Sequence, residues 1–416
     1  MKRRILLIVL WSLNVTLVNA QWVQQISGTT NQLHSIFFTS TTTGYIVGNA
    51  GIVLKTINGG TTWVAQTSGT TNDLNSVCFV NANTGYIAGN TGTVLKTING
   101  GTTWAPLTIP SYSYTSIQFT NINNGYTIGS SSSDIYYTND AGATWNYQTT
   151  PSVSLTCLFY TDPLTGYVGD LFGSIFKTTD GGSTWTSQTT GTTNELLSIY
   201  FLNANTGFAV GMYGTILKTT NGGSTWTTQT CGTSNPIYSV FFSDANNGYA
   251  SCGGGVMLKT INGGISWSLQ STPVLDNLIS VYFTSTNTGY VCGTGGAILK
   301  TTNGGVGIDE ATQDNEISIY PNPCVGELRI DNGKLVIKEI RIVNVLGECV
   351  LAPPPSLQVE PVPHSFREGK GVVDVSALKS GIYFVEAQTD TSAGSVTGSA
   401  GSPQGQGIIR KKFIKQ

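Results

Sequence analysis

The ten residues LKTINGGTTW at positions 54–63 recur unchanged at 95–104, and close copies occupy 176–185, 217–226 and 258–267. An Asn-Gly or Asp-Gly pair between two extended segments is a strong indication of a tight β-hairpin, because residues with positive φ cost little there. The stretch therefore predicts one hairpin, ending in a tryptophan, that is repeated along the chain.

The tryptophans set the period of the repeat. Between two of them the chain reads as an apolar run, a polar turn, a short strand, a glycine turn and the LKT strand, which makes four short strands with the tryptophan strand. Four strands in about 40–50 residues are typical of a β-propeller blade, whereas the coils of a β-solenoid, the alternative, are shorter. Seven tryptophans follow one another at intervals of 40 or 41 residues: Trp22, Trp63, Trp104, Trp145, Trp185, Trp226 and Trp267.

The number of blades follows from the two ends of the repeat. Six units end in a tryptophan strand, and a seventh begins near Asn277 but stops after Gly305 without one. The segment around Trp22, residues 21–25, supplies the missing strand. The prediction is an all-β protein: residues 21–305 form a seven-bladed β-propeller closed by its N-terminal strand, and a small antiparallel β-sandwich follows.

One polar residue opens each hairpin turn. Its side-chain oxygen is expected to accept hydrogen bonds from nearby backbone N–H groups and so to fix the turn, while the tryptophan is expected to be buried between sheets. Both roles are structural. The turn residues are Asn58, Asn99, Asp140, Asp180, Asn221, Asn262 and Asn303.

The N-terminus and the composition indicate where the protein is expected to be located. Residues 1–20 combine a basic start, a short apolar run and a small residue at the end, which predicts a secretory signal peptide. The apolar run is shorter than the roughly 20 residues of a spanning helix, so no membrane span is expected in the mature chain. A net charge of −2 offers no basic field for nucleic acid.

The seven cysteines show no metal-ligand spacing, and a Cys252–Cys292 disulfide is left open.

The repeat resembles the Asp-box, or bacterial neuraminidase repeat, and the whole unit TGYxxGxxGxxLKTxNGGxTW resembles the propellers of photosystem II assembly and stability factors. That resemblance implies that the hairpin is a structural turn far from the ligand. Residues 306–315 are expected to be a linker, and alternating strands fill residues 316–416. There YPNP, GECV, VDVSALKSGIYFV and KFIKQ resemble, in order, the type A sorting domain of the type IX secretion system. This second resemblance implies that the type IX secretion system exports the protein to the surface or the medium of a Bacteroidetes-type bacterium.

Catalytic residues are harder to find. Sialidases built on similar repeats bind a carboxylate with arginines, and residues 5–328 contain none. His34 is the single histidine of the propeller, so a histidine triad is excluded, and the six lysines that share one position of the repeat are expected to be structural. A glycan-acting hydrolase needs two acids across a cleft. Five acids are candidates for the mouth of the channel: Asp73, Asp134, Asp170, Glu195 and Asp276.

Recognition is expected on the face that carries the connections between blades and the turns between second and third strands, since the repeats differ most there. Tyr112, Tyr114, Asp170 and Tyr213 are the candidate ligand contacts, because aromatic rings with few charges suit a sugar or an extended peptide. The leading function is a non-enzymatic binding or adhesion module for an extracellular protein or glycan. A hydrolase and an assembly factor for another exported protein are the alternatives. No catalytic residue, metal or cofactor is assigned.

Overall fold

The computed structural model describes residues 22–110, 112–129, 133–152 and 154–305, and in the C-terminal part 318–320, 327–331, 337–344, 349–351, 370–389 and 407–415. The contacts separate two compact units, one of which spans Ala20–Gly305. The predicted signal peptide, residues 1–20, and the predicted linker, residues 306–315, lie outside the described residues.

The first unit consists of seven four-stranded antiparallel sheets, as predicted, and we call them blades 1 to 7. Each blade begins with a six-residue inner strand that has a register shift near its start. After this shift, buried and half-exposed side chains alternate in five of the seven blades. The inner strands are Leu33–Phe38, Leu74–Phe79, Tyr114–Phe119, Leu155–Tyr160, Leu196–Phe201, Ile237–Phe242 and Leu278–Phe283.

The second and third strands form the buried middle of each blade. The second strands are Gly44–Gly48, Gly85–Gly89, Gly125–Gly129, Gly166–Asp170, Gly207–Gly211, Gly248–Cys252 and Gly289–Gly293. The third strands are Val53–Thr56, Val94–Thr97, Asp134–Thr138, Ile175–Thr178, Thr215–Thr219, Val256–Thr260 and Ile298–Thr301. Short 3₁₀ turns join the second strand to the third in four blades: Asn49–Gly51, Met212–Gly214, Gly253–Gly255 and Thr294–Gly296.

The outer strands are short and exposed. In blades 1 to 6 they follow the hairpin: Val64–Gln66, Ala105–Pro106, Asn146–Thr149, Thr186–Gln188, Thr227–Thr228 and Ser268–Ser271. The outer strand of blade 7 is Val23–Gln25, which pairs with Ile298–Lys300 so that Val23 faces Lys300. The predicted closure of the ring by the N-terminal strand is therefore confirmed, and it leaves the strand Ile298–Thr301 paired on both of its edges.

The same three aromatic positions recur where adjacent blades meet. The aromatic ring of each second strand stacks on the ring that ends the inner strand of the next blade, with centroids 3.6–4.2 Å apart. The tryptophan of that next blade contacts the inner-strand ring edge-on, with centroids 5.9–6.3 Å apart. Trp22 and Phe283 have this geometry too. Such pairs add about 0.5–1.5 kcal/mol each beyond the area that they bury.

The glycine before each second-strand aromatic residue is required by this packing. A Cβ atom built on Gly44 would lie 2.6 Å from the Phe38 ring, and the equivalent glycines of the other blades are as close to theirs. The TGY part of the repeat thus encodes the space into which the inner-strand ring fits.

The described residues after Gly305 form two antiparallel sheets. One contains Ser318–Tyr320, Glu327–Asp331 and Lys370–Asp374, and the other contains Cys349–Leu351, Ile337–Asn344, Gly381–Thr389 and Gly407–Lys415 in that order. The packing of these sheets into a sandwich stays a prediction. In the part of the chain that the structure describes, no helix has the length and hydropathy of a membrane span. Cys252 and Cys292 are buried free thiols, so they do not form the disulfide that the sequence left open.

Candidate binding face

The two ends of the propeller are built differently. At one end the hairpins meet the turns between the inner and second strands, as where Gly59 N donates to Thr42 O at 2.8 Å. At the other end the connections between blades meet the turns between second and third strands, as where Ala50 N donates to Asp73 Oδ1 at 2.9 Å. We call these ends the hairpin face and the loop face.

On the hairpin face the polar turn residues are bound within their own turns. Asn58 Oδ1 accepts from Thr62 N at 3.0 Å, while Thr56 Oγ1 accepts from Gly60 N at 2.9 Å. In blade 4 an aspartate replaces the asparagine, and Thr184 donates both N–H and O–H to Asp180. Hydrogen bonds from threonine lower the pKa of Asp140 and of Asp180 to about 2. These carboxylates are therefore committed to the turn.

The lysines that share one position of the repeat connect neighbouring blades. Each Nζ donates at 2.6–2.8 Å to a backbone carbonyl in the hairpin of the next blade, and it lies 5.4–5.8 Å from the centroid of the second-strand ring. A lysine held in this way is not free to bind a phosphate. The six are Lys55, Lys96, Lys177, Lys218, Lys259 and Lys300.

Two of the four predicted ligand contacts lie in the interior. Tyr114 is fully buried, at the position where the other inner strands begin with Leu or Ile, and its hydroxyl donates to Pro110 O at 2.6 Å. Asp170 is 2% exposed, and its carboxylate accepts from Ser152 Oγ, Phe172 N and Ser174 N at 2.7–2.9 Å. Asp170 closes the turn of blade 4. Neither side chain is therefore exposed on the surface of the loop face.

The other two predicted contacts are on the loop face and open to solvent. Tyr112 is 42% exposed and its ring lies 5.8 Å from that of Tyr136, in the connection that leads into blade 3. Tyr213 is 72% exposed in the turn Met212–Gly214. Its φ of 57° is in the left-handed region, which a bulky side chain rarely adopts.

The candidate acids and the histidine mostly serve local structure. His34 Nε2 lies 2.5 Å from Asn49 Oδ1, and Thr294 Oγ1 donates to Asp276 Oδ1 at 3.3 Å. Asp73 binds the turn of blade 1 through Ala50 N. Glu195 differs, because it is half-buried and burial raises its pKa. No group of three or more metal-ligating side chains exists among the described residues.

The loop face also has features that the sequence did not indicate. Leu171 and Phe172 are 44% and 57% exposed in the turn of blade 4. In addition, the second residue of each inner strand is half-exposed at this end, and its polarity changes around the ring. It is polar in blades 1 to 4 and apolar or aromatic in blades 5 to 7: His34, Asn75, Thr115, Thr156, Leu197, Tyr238 and Ile279. A comparison of repeat positions would have found this difference.

Charge divides the two faces as well. The lysines of the propeller reach carbonyls on the hairpin face, and residues 5–328 contain no arginine. The loop face carries carboxylates without a lysine or arginine among its described residues. They are Asp73, Asp134, Asp170, Glu195 and Asp276.

These observations define the class: a seven-bladed β-propeller with one structurally uniform face and one varied, acidic and partly aromatic face. Residues 14–149 and 183–269, more than half of the chain, match the family model described as photosynthesis system II assembly factor YCF48, and the chain belongs to that family. Residues 318–397 match the secretion system C-terminal sorting domain. The predicted resemblances to the photosystem II assembly factors and to the sorting domain are thus confirmed.

Solved structures agree on the fold. YCF48 from Cyanidioschyzon merolae is 22% identical with a TM-score of 0.59, and the match covers 67% of this chain and 98% of that one. A structure titled "YCF48 bound to D1 peptide" is 20% identical with a TM-score of 0.59, over 68% and 94% of the two chains. The WD40 propeller domain of Doa1 is 12% identical with a TM-score of 0.57, over 67% and 96%. No curated protein matches the sequence.

Proposed function

We propose that this protein is a non-enzymatic binding propeller, exported by the type IX secretion system, that recognises an extracellular partner on its loop face. Residues 316–416 carry the export address, and the propeller, residues 21–305, carries the binding surface. Tyr112 and Tyr213 are the contacts retained from the sequence prediction, since their rings are exposed.

The observation that carries the proposal is the contrast between the faces. The hairpin face repeats the same hydrogen bonds from blade to blade, so its polar turn residues are bound within their own turns. The loop face differs from blade to blade and presents exposed aromatic rings, which are common where proteins bind ligands. A similar propeller, the YCF48 of the second solved structure, is bound to a peptide. This supports an extended peptide over a small metabolite.

The binding test uses the purified full chain against an array of peptides and surface glycans. Tyr112→Ser and Tyr213→Gly are expected to weaken capture of the bound ligand at least about tenfold without lowering the unfolding temperature. Ile261→Ser, which removes an exposed apolar side chain from the hairpin face, is the matched control and is expected to leave capture unchanged. Capture lost only in the Ile261 variant would contradict the proposed face, and ligand turnover would favour the hydrolase.

The export test removes residues 316–416 in the bacterium that makes the protein. The truncated chain is expected to accumulate in the periplasm, while the full chain reaches the surface or the medium. Export that is equally efficient without these residues would contradict the proposed role of the sorting domain.

A further inference from the structure

Blades 4 and 5 differ from the others on the loop face because large apolar side chains stand exposed in their turns. Leu171, Phe172 and Tyr213 are each at least 44% exposed. Exposed apolar side chains that cluster on a soluble protein mark interaction sites. The positions equivalent to Phe172 and Tyr213 hold small residues in blades 1, 2, 6 and 7: Ala50, Thr91, Gly254 and Gly295.

The backbone of Tyr213 has a conformation that is unfavourable for a tyrosine. The residue has φ 57° and ψ 34°, and the same turn places Gly254 at φ 67° and ψ 29°. Glycine adopts this conformation without strain, whereas tyrosine does not. A strained, solvent-exposed aromatic residue is a motive to look for a function.

Glu195 lies between the two turns. The connection before it contacts the turn of blade 4, where Thr190 Oγ1 donates to Gly173 O at 2.8 Å. Its own carbonyl accepts from Met212 N, at the start of the turn of blade 5, at 2.9 Å. Glu195 is therefore placed between the turn that contains Phe172 and the turn that contains Met212 and Tyr213.

The carboxylate of Glu195 lacks the partner that the side chain at its position has in blades 2 and 7. In blade 2, Asp73 accepts from Ala50 N of the preceding blade, and in blade 7, Asn277 accepts from Gly254 N. The corresponding donor for Glu195 is Phe172 N, but Asp170 already accepts from it at 2.9 Å. Within the described residues, Glu195 consequently has no hydrogen bond or ion pair to its carboxylate.

Resting on the proposed function, we infer that Leu171, Phe172, Glu195, Met212 and Tyr213 bind an extended peptide segment of a partner protein, in which a lysine or arginine adjoins an aromatic or large aliphatic residue. The exposed rings and side chains receive the apolar residue. The half-buried carboxylate pairs with the cation, which the acidic loop face attracts and the lysine-free surroundings do not repel. A neutral sugar would leave Glu195 unpaired.

The test titrates the purified full chain with a fluorescent hexapeptide that has adjacent phenylalanine and lysine in a glycine–serine background. Two matched peptides replace either the lysine by glutamate or the phenylalanine by glycine. The phenylalanine–lysine peptide is expected to bind at least about tenfold more tightly than either, and its affinity is expected to fall as salt is added.

Two variants locate the site. Tyr213→Gly removes the ring and relieves the backbone, so it is expected to weaken peptide binding about tenfold or more while the unfolding temperature holds or rises. Thr91→Gly makes the same backbone change in blade 2 and is expected to bind normally. Glu195→Gln keeps the shape, and its loss of affinity is expected to come with a weaker dependence on salt. Asp244→Asn, on the hairpin face, is its control.

The outcomes separate this inference from the proposed function. Equal binding of the three peptides, no binding of any, or binding unaffected by Tyr213→Gly and Glu195→Gln overturns the inference. A glycan or acidic peptide captured through Tyr112 would leave the binding function standing and overturn only the assignment to blades 4 and 5.

Discussion

Blades 3 and 4 meet in a way that the other neighbouring blades do not. Everywhere else a lysine of one blade donates to the hairpin carbonyl of the next, but Tyr137 occupies the lysine position of blade 3. There Gln148 Nε2, from the outer strand, donates to Gly181 O at 2.8 Å, and Gln148 Oε1 is buried without a partner. At this interface a neutral amide thus takes the place of the ammonium group as the donor to the hairpin carbonyl.

The same two blades depart in their hairpins. Trp145 and Trp185 are half-buried, whereas the tryptophans of the other blades are buried. Asp140 and Asp180 replace the asparagine of the other turns. Different residues therefore fill the same positions of the repeat in different blades. Blades 3 and 4 are expected to respond to substitution differently from the other five.

The largest expected effect is the loss of the tryptophan that closes the ring. Trp22→Ala is expected to lower the free energy of unfolding by ~3–5 kcal/mol, because Trp22 is only 1% exposed. Trp185→Ala is expected to cost clearly less, because part of that ring already contacts water. Chemical denaturation of both variants measures the difference, and equal costs would contradict the burial argument.

A smaller effect is expected where a lysine is the donor to a hairpin carbonyl. Lys218→Met is expected to cost about 1–3 kcal/mol, because Phe208 has no hydroxyl to replace the bond to Gly263 O. Lys55→Met is the matched comparison, since Tyr45 Oη also donates to Gly100 O at 2.8 Å. It is expected to be milder, and denaturant midpoints that rank the two in reverse would refute the role assigned to the second donor.

The smallest effect concerns acid. The folded-state pKa of Asp180 is about 2, below its ordinary value of 3.8, so its hairpin bonds contribute fully above pH 4 and are lost as the pH falls towards 2. Asp180→Asn is expected to remove this part of the acid sensitivity, and Asn221→Asp is expected to introduce it in blade 5. Melting temperatures between pH 5 and pH 2 test both, and a variant whose profile is unchanged would show that the carboxylate bonds do not matter.

The sequence predicted the parts of the fold that follow from the spacing of its repeats. The spacing of Trp22 from the later tryptophans was enough to place its strand in blade 7, because a blade lacking its outer strand must obtain one from elsewhere. The exposure of the candidate contacts was predicted less well. Tyr114 and Tyr112 have similar sequence surroundings, yet one begins a buried strand and the other precedes it.

The lack of a hydrogen-bond donor for the Glu195 carboxylate could not be predicted from the sequence for a different reason. It depends on which of two carboxylates, Asp170 or Glu195, accepts from Phe172 N, and that choice is made by distances across two blades. Leu171 and Phe172 were overlooked because an apolar pair beside a strand is more often interior than exposed.

The position of the closing strand has a mechanical consequence. Because Val23–Gln25 covers one edge of Ile298–Thr301 and Gly289–Gly293 covers the other, the last strand before Gly305 is an interior strand. A tension transmitted through the residues after Gly305 would have to shear or peel two ladders of backbone bonds together. A propeller closed in this way is therefore expected to resist unfolding by a force applied to the C-terminal side of the ring.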